Sequence, residues 1–513
     1  MKILYLGHAG FLITHYDSAI IIDPWFSEKG AYNQAWYQFP RNHELITVVG
    51  EAIKNMKSVR IILSHEHADH FCRETLSNDQ LKMIGIAIPK YRSKSFYNAV
   101  QEIRDDQIIE VADRDEIRIG TIYVSFIIDD SGLDRDAGIL VRSTDGKTFL
   151  NFNDCKAFDQ LYAIRDRFGS IDIFTCQFSG AIRHPVCYEY DDQYYKQVSN
   201  EKLRVKFEIV RAAIDSLDPK IFLPSAGPCA FLDPNLFHLN FDDRGQIFAK
   251  SWNFLKFMRG AVGNTQIEEF FPGDTVCLTN QTMEISKLDP VVSAETFAEY
   301  MQHYQSECWR PRPVPREKST RLESLFLADL AAKLKAYRQW GYHINVAQNL
   351  YFETSVNEPY VKVEFCSGQI TKTPDINDTN FYIHRVSWEE IAALYDDNLG
   401  WGGHALTFRV SIRRQPDVYD RVIDLFLTST IDQFRDGLQY LDRIRLESET
   451  IEVAADGGQK FRIRRYCPHQ GADLLGAQIK GFKVICPRHG WEFDLENGGV
   501  CDARDCDIAA EAI

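Results

Sequence analysis

The chain has 513 residues, of which 45% are hydrophobic, enough to build several folded cores. Its 58 Lys and Arg residues are outnumbered by 73 Asp and Glu residues, and the net charge of −15 argues against a nucleic-acid-binding surface. The N-terminal apolar stretch is interrupted by Tyr16, Asp17 and Asp23 before it could form a signal peptide or membrane span. Twelve Cys residues mostly lack an ordered spacing, so we expect a cytoplasmic protein with reduced thiols and no membrane partner.

The first motif follows an apolar run at residues 59–63, which predicts a buried strand. His65, His67, Asp69 and His70 come within six residues directly after it. Imidazoles and a carboxylate gathered at a strand end form a ligand set suited to zinc or iron. A solvated polar loop is the alternative, and it does not account for four such side chains at one strand end.

At this point the N-terminal region resembles the metallo-β-lactamase superfamily. Residues 6–13 and 20–25 are similar to the opening hairpin of its lactonase-like and phospholipase-D-like branches. The resemblance implies an α/β fold of the αββα sandwich type over residues 1–290. It also implies that Asp23 orients a metal ligand rather than binding the metal itself.

The superfamily pattern changes further along the chain. Asp154 matches the position of a bridging carboxylate, but Asp129 and Asp130 stand where a third histidine is usual. Ala226 stands near the place of the last histidine. The loss of two imidazoles favours an iron site with open positions for substrate and O₂ over a hydrolytic di-zinc centre.

Two further histidines stand alone in predicted loops. His184 is a candidate replacement ligand or substrate contact, and His8 is a candidate of the same kind. A lone loop histidine is more often neither.

The middle of the chain shows helix and strand patterns without a chemical motif. Residues 202–217 predict a helix, and residues 309–316, rich in Pro and Arg, predict a stiff connector. Ser319 or Thr320 is expected to cap an amphipathic helix whose apolar side carries Leu322, Leu325, Phe326, Leu330, Leu334 and Tyr337. We assign residues 291–440 to a small α+β domain that either positions the C-terminal module or completes the substrate pocket.

The second motif lies near the C-terminus, where Cys467 and His469 are followed after sixteen residues by Cys486 and His489. Two thiols and two imidazoles in this order predict a Rieske [2Fe–2S] cluster, in which two Cys hold one iron and two His the other. A Gly after each pair suits two tight loops. A structural zinc site is the alternative, but zinc fingers usually group the two Cys and the two His separately.

The sequence around these ligands resembles the Rieske ferredoxins and the Rieske domains of oxygenases, which implies an all-β domain over residues 441–513. In the high-potential respiratory type, each loop carries an extra Cys that forms a disulfide. Arg488 stands at that place in the second loop. The resemblance therefore implies the low-potential type that supplies electrons to oxygenases.

A one-electron carrier beside an open metal site predicts an oxidoreductase, because O₂ activation at non-haem iron needs electrons delivered singly. The pairing resembles the CMP-N-acetylneuraminate hydroxylases, with the domain order reversed, which implies a monooxygenase acting on a sugar nucleotide or another small polar metabolite. No nicotinamide-binding fingerprint is present, so an external NAD(P)H-linked reductase or carrier is expected. A homo-oligomer would allow a cluster to serve a neighbour's iron.

The expected ligands of one or two irons, with zinc as the alternative, are His65, His67, Asp69, His70, Asp154, Asp129 and Asp130. Asp69 and His184 are the candidate catalytic residues. Two other functions stay open. One is a metal-dependent hydrolase of the lactonase or phosphodiesterase type with an accessory Rieske domain, and the other is a redox adaptor with a degenerate catalytic site.

Overall fold

The computed structural model describes residues 1–104, 108–130, 135–241, 245, 247–260, 263–311, 317–397, 399–447, 449–501 and 506–513. Most of the predicted connector, residues 312–316, lies outside these ranges.

The chain begins with strands rich in β-branched residues, which suit a buried pleated surface. They are β1 Lys2–Gly7, β2 Gly10–His15, β3 Ser18–Ile22, β4 Ser58–Ile62, β5 Ile86–Pro89 and β6 Ile108–Val111. From β3 to β6 the strands pair in parallel, and β3 is buried along its whole length. A continuous apolar run is typical of a parallel strand covered on both faces.

A second sheet follows, with β7 Glu116–Ile119, β8 Ile122–Asp130, β9 Arg135–Ser143, β10 Thr148–Asn151, β11 Ile173–Gln177, β12 Ile221–Ser225 and β13 Gln266–Ile267. These strands run in the order β13-β12-β11-β10-β9-β8-β7. The chain then returns to the first sheet with β14 Thr275–Leu278 and β15 Met283–Ser286, which gives the order β15-β14-β1-β2-β3-β4-β5-β6.

Helices lie between and after the strands of both sheets. They are α1 Leu45–Ile53, α2 Arg73–Leu76, α3 Ser95–Gln101, α4 Leu161–Phe168, α5 Arg183–Val186, α6 Asp192–Leu217, α7 Ser251–Met258 and α8 Phe297–Cys308, with 3₁₀ turns at Phe158–Gln160 and Phe237–Asn240. The predicted helix at residues 202–217 is the second half of α6. The carboxylate of Asp191 accepts a hydrogen bond from the Tyr194 amide and so starts the helix earlier than predicted.

The two sheets pack face to face. The rings of Phe11 on β2 and Phe149 on β10 meet edge to face with centroids 4.9 Å apart, and both are fully buried. On the outer face of the second sheet, Phe222 packs with Val210 of α6 and Phe254 of α7. This is the predicted αββα metallo-β-lactamase-like sandwich.

The middle part is an α+β unit, as predicted. It contains α9 Thr320–Gln339, a 3₁₀ turn at Tyr342–Asn345, β16 Asn349–Glu353, β17 Tyr360–Glu364, β18 Gln369–Thr373, β19 Phe381–Arg385, α10 Trp388–Tyr395, α11 Gly400–Ala405, β20 Ser411–Gln415 and α12 Arg421–Thr428. The sheet order is β18-β17-β16-β19-β20. Ser319 caps α9 by accepting from the Leu322 amide, and the predicted apolar side is buried except at Leu325.

The C-terminal part follows α13 Ile431–Glu447 and consists of small antiparallel sheets. Its strands are β21 Thr450–Ala454, β22 Lys460–Arg464, β23 Gln478–Lys480, β24 Lys483–Ile485, β25 Glu492–Asp494, β26 Val500–Cys501 and β27 Glu511–Ala512. They form the sheets β21-β22-β27 and β23-β24-β25-β26 around a common core that includes Phe461, Val484 and Phe493. Across the described ranges of the whole chain, no helix has both the length and the apolar character needed to cross a membrane.

Candidate functional site

The histidine-rich motif lies in the loop that leaves the carboxyl end of β4. His65, Asp69 and His70 are at most 1% exposed. His67 is exposed. The motif therefore combines buried candidate ligands with one side that is open to solvent.

Candidate ligand atoms from the β1–β2 turn, from β9 and from the segment after β10 lie close to this motif. Three overlapping sets have atoms within 4.8 Å of one another, and together they make up what we call the metal group: His8, His65, His67, Asp69, His70, Asp136 and Asp154. His70 Nε2 lies 3.7 Å from a carboxylate oxygen of Asp69 and 3.7 Å from one of Asp154. His65 Nε2 lies 2.9 Å from His67 Nδ1 and 3.7 Å from Asp136 Oδ1.

Hydrogen bonds behind the metal group fix the two central imidazoles. Asp23 accepts from the Ser64 amide at 2.8 Å and the Ser64 hydroxyl at 2.6 Å, and it lies 2.9 Å from His70 Nδ1. Ser64 Oγ also lies 2.9 Å from His65 Nδ1. With both Nδ1 atoms held, both Nε2 atoms are directed into the group. Asp23 thus makes the contact that the sequence resemblance implies.

Burial and neighbouring charges set the protonation of these imidazoles. Burial, with the neighbouring His70 and His67, holds the pKa of His65 well below its usual range, so His65 is neutral and able to bind a metal. Burial opposes the charged form of His70 too, but the carboxylates of Asp69 and Asp154 outweigh it and raise the pKa of His70 well above its usual range. Burial opposes the charged form of Asp69 and Asp154, but the positive charge of His70 outweighs it and lowers their pKa values, so a cation that replaced the proton of His70 would meet two carboxylates.

The donor set fits a bound metal ion. His70 Nε2 is buried and has no hydrogen-bond partner within the described residues, although two carboxylates lie near it. An unsatisfied buried nitrogen is costly unless a ligand occupies the space in front of it. Imidazole nitrogens with carboxylate oxygens are the donors that iron and zinc accept.

Two of the carboxylates have additional partners. Asp69 accepts from the Tyr32 hydroxyl at 2.5 Å through one oxygen and lies 2.8 Å from His8 Nε2 through the other. Asp154 accepts a 2.9 Å hydrogen bond from the side-chain amide of Gln177. These hydrogen bonds fix the orientations of Asp69 and Asp154. Both residues lie in the metal group, as the sequence predicts.

Three of the predicted site residues lie elsewhere. Asp129 is 2.8 Å from Arg488 Nη1, and Asp130 accepts a 2.7 Å bond from the Arg92 amide. His184 Nε2 lies 3.0 Å from the hydroxyl of Tyr190. None of these three belongs to a ligand set found among the described residues. The two carboxylates are turned to neighbouring arginines because an ion pair compensates their burial.

Two members of the metal group, Asp136 and His8, were not among the expected iron ligands. Asp136 lies on β9 directly opposite Asp129 of β8, a register that no local sequence signal reveals. His8 stands in the turn between β1 and β2, and its carbonyl accepts a 2.8 Å hydrogen bond from the amide of Ala226. His8 is therefore next to Ala226, near which the superfamily resemblance places a last histidine that this chain lacks, and its imidazole joins the metal group from that side.

The predicted cluster ligands lie in two loops of matching shape. In each loop a glycine amide donates to the carbonyl of the Cys four residues earlier, Gly471 to Cys467 at 2.8 Å and Gly490 to Cys486 at 2.9 Å. Both glycines are left-handed, with φ of 70° and 67°. This conformation disfavours other residues and explains the glycine in each loop.

The four side chains form a close Cys pair and a close His pair, an arrangement that fits a [2Fe–2S] cluster. Cys467 and Cys486 are fully buried and form a hydrogen bond with each other, which together with burial raises the pKa of Cys467. The rings of His469 and His489 have centroids 4.5 Å apart. Both ring nitrogens of His489 are buried without a hydrogen-bond partner in the described part of the chain, and an iron ion bound to one of them would satisfy that nitrogen.

Family comparisons agree with the fold of the N-terminal and C-terminal parts. Residues 2–133 match the model of a β-lactamase superfamily domain, and residues 429–509 match that of a Rieske [2Fe–2S] domain. The chain is therefore a protein with a metallo-β-lactamase-like fold followed by a Rieske domain. A Mycobacterium tuberculosis protein with the provisional name Rieske 2Fe-2S iron-sulfur protein is 26% identical over 548 residues, covering 98% of each chain.

Other similarities cover only part of the chain. The cholesterol 7-desaturase of Hemicentrotus pulcherrimus is 29% identical over 77 residues, which is 15% of this chain and 16% of that protein. Among solved structures, Igni18, a metallo hydrolase from Ignicoccus hospitalis, is 15% identical with a TM-score of 0.35 and covers 54% of this chain and 97% of that one. CmlA, a diiron β-hydroxylase from Streptomyces venezuelae, is 14% identical with a TM-score of 0.35 and covers 54% of each chain.

Proposed function

We propose that this protein is an oxygenase in which the Rieske domain supplies electrons to non-haem iron held by the metal group. The observation that carries the proposal is the packing of a cluster-binding loop against the domain that holds the metal group. A Cβ atom at Gly490 would lie 2.2 Å from Val205 of α6, so this loop touches that domain without a gap. A hydrolase would need no electron carrier at this position.

Bound iron would supply the site for O₂ activation, with two electrons and two protons consumed for each oxygen atom inserted and each water released. The chain's own residues contribute fixed geometry and access. Asp23 and Ser64 hold two imidazoles in place, and Tyr32 holds Asp69. His67, as the exposed member, marks the side from which a substrate would enter.

We infer that the metal group binds one or two irons through His8, His65, His67, Asp69, His70, Asp136 and Asp154, and that Cys467, His469, Cys486 and His489 bind the cluster. The three predicted domains, residues 1–290, 291–440 and 441–513, remain our division of the chain. An NAD(P)H-linked reductase would load the cluster. The desaturase name of the Hemicentrotus pulcherrimus relative, an oxidative activity, agrees with this proposal.

Metal analysis of anaerobically purified protein, combined with electron paramagnetic resonance (EPR) before and after dithionite, tests the function. We expect more than two irons per chain, a reduced Rieske signal, and a second iron species that changes on exposure to O₂. Two irons accompanied by zinc would instead identify a hydrolase with an accessory cluster. A chain with two irons and no other metal would be a redox adaptor.

A further inference from the structure

The second cluster loop is joined to the metal-binding domain by a buried arginine. Arg488, which precedes the candidate ligand His489, is 7% exposed. Its guanidinium contacts Asp159 through Nε at 2.8 Å and Nη2 at 3.0 Å, and Asp129 through Nη1 at 2.8 Å. Paired, two-point contacts of this kind fix the orientation of both partners.

Asp159 also holds the segment that follows the first cluster loop. Its Oδ2 atom accepts a 3.0 Å hydrogen bond from the backbone amide of Asp473. One carboxylate of the metal-binding domain therefore fixes both loops that carry the cluster ligands. Lys480 and Glu208 add an exposed ion pair of 3.2 Å to the same contact surface.

Two short routes lead from this contact to the metal group. Asp129 stands directly opposite Asp136 in the β8–β9 pair, where side chains share a face with Cβ atoms about 4.5–5.5 Å apart. Asp136 lies 3.7 Å from His65. Arg488 is thus separated from a metal-group imidazole by two carboxylates.

The second route passes through α6. Lys206 donates to Gln177 Oε1 at 3.2 Å, and Gln177 donates to Asp154 at 2.9 Å. Lys206 directly follows Val205 on α6, and the side chain of Val205 packs against Gly490 of the second cluster loop. Lys206 therefore lies between the cluster end and the metal end.

We propose that Arg488 and Asp159 are positioning residues that dock the cluster on the metal group of the same chain, so that electrons pass between the two centres within one polypeptide. The inference rests on the proposed function. In each transfer the reduced cluster loses one electron and ferric iron in the metal group gains it. The external reductase then restores the cluster. A neighbouring subunit is not needed to bring the centres together.

Docking is measured without turnover, in protein with the reduced cluster and Mn²⁺ in the metal group. Mn²⁺ should speed the spin relaxation of the cluster in wild-type protein, equally at high and low protein concentration. Asp159→Asn and Arg488→Gln should weaken docking about tenfold or more, because one partner of a buried charge pair is removed, and should reduce this enhancement as the docked fraction falls. Arg464→Gln, which removes an ion pair inside the Rieske domain, is the matched control and should leave it unchanged.

Asp159→Asn is the decisive variant, since it lies outside the cluster loops and leaves every candidate ligand in place. An unchanged enhancement in this variant, or one that disappears on dilution of the wild type, would overturn the intrachain docking. The visible spectrum of each variant verifies that the cluster is intact before the comparison is made.

Mixed chains test the transfer itself. His67→Ala keeps the cluster, and His489→Ala keeps the metal group. In a mixture of the two loaded with iron, reoxidation of the reduced cluster by O₂ should be no faster than in His67→Ala alone. Recovery of the wild-type rate in the mixture would refute intrachain transfer. If wild-type protein itself is no faster than His67→Ala, the oxygenase proposal fails, while the relaxation result still decides the docking.

Discussion

Replacing Gly490 by alanine should destabilise the Rieske domain far more than the same change at Gly498. Both glycines are left-handed, with φ of 67° and 74°. Alanine in this conformation costs about 1–2 kcal/mol at either position. They differ in their surroundings, because nothing lies within 4 Å of a Cβ at Gly498, whereas a Cβ at Gly490 would meet Val205 Cγ1 at 2.2 Å.

The extra cost at Gly490 follows from the contact between the two domains. Forcing a methyl group into a filled space typically costs about 1–3 kcal/mol. We therefore expect Gly490→Ala to lower the free energy of unfolding by about 2–5 kcal/mol and Gly498→Ala by about 1–2 kcal/mol. For a domain of this size, each kcal/mol shifts the melting temperature by about 4–8 °C, so the two variants should differ by at least about 4 °C.

The assay follows the cluster absorbance during thermal unfolding. A second change, Val205→Ala on α6, removes the opposing methyl groups and should restore part of the stability of Gly490→Ala but none of that of Gly498→Ala. A double-mutant cycle isolates this coupling. Equal melting temperatures for Gly490→Ala and Gly498→Ala, or no rescue by Val205→Ala, would refute the packing of this loop on α6.

Three further predictions concern the two centres. His67→Ala should stop turnover and leave the cluster spectrum intact. His469→Ala should destroy the cluster spectrum and also stop turnover. Full activity of His469→Ala would contradict electron-coupled chemistry. Asp23→Asn should weaken metal binding about 10–100-fold in a chelator competition, because the support of His70 is lost, while the exposed Asp17→Asn should not. Chelation of the metal should lower the melting temperature, since an ion at a hundred times its dissociation constant stabilises by about 2.7 kcal/mol, and an unchanged value would argue against a bound metal.

The parts that the sequence predicted are those set by short-range patterns. The histidine motif stands in one loop, and the Rieske ligands stand in two, so neighbouring residues reveal them. Asp136 was not predicted as a ligand, and His8 was only a candidate of a kind that is more often no ligand. The place of Asp136 depends on strand register, and that of His8 on the approach of Ala226 from a distant loop. The ion pair of Asp129 with Arg488 joins residues 359 positions apart, a contact that only the docking of two domains creates.

The nature of that docking follows from Arg488, which stands where the resemblance to Rieske proteins implies a cysteine in the respiratory type. In the respiratory Rieske type, a disulfide ties the two cluster loops to each other. Here Arg488 binds Asp159, and Asp159 also accepts from the amide of Asp473 after the first loop. Both loops are thus tied to the domain that carries the metal group. Because the ion pair is buried, loss of either charge leaves the other uncompensated, which is costly and favours the docked arrangement. The substitution that removes the disulfide would in this way also direct the cluster toward its electron acceptor.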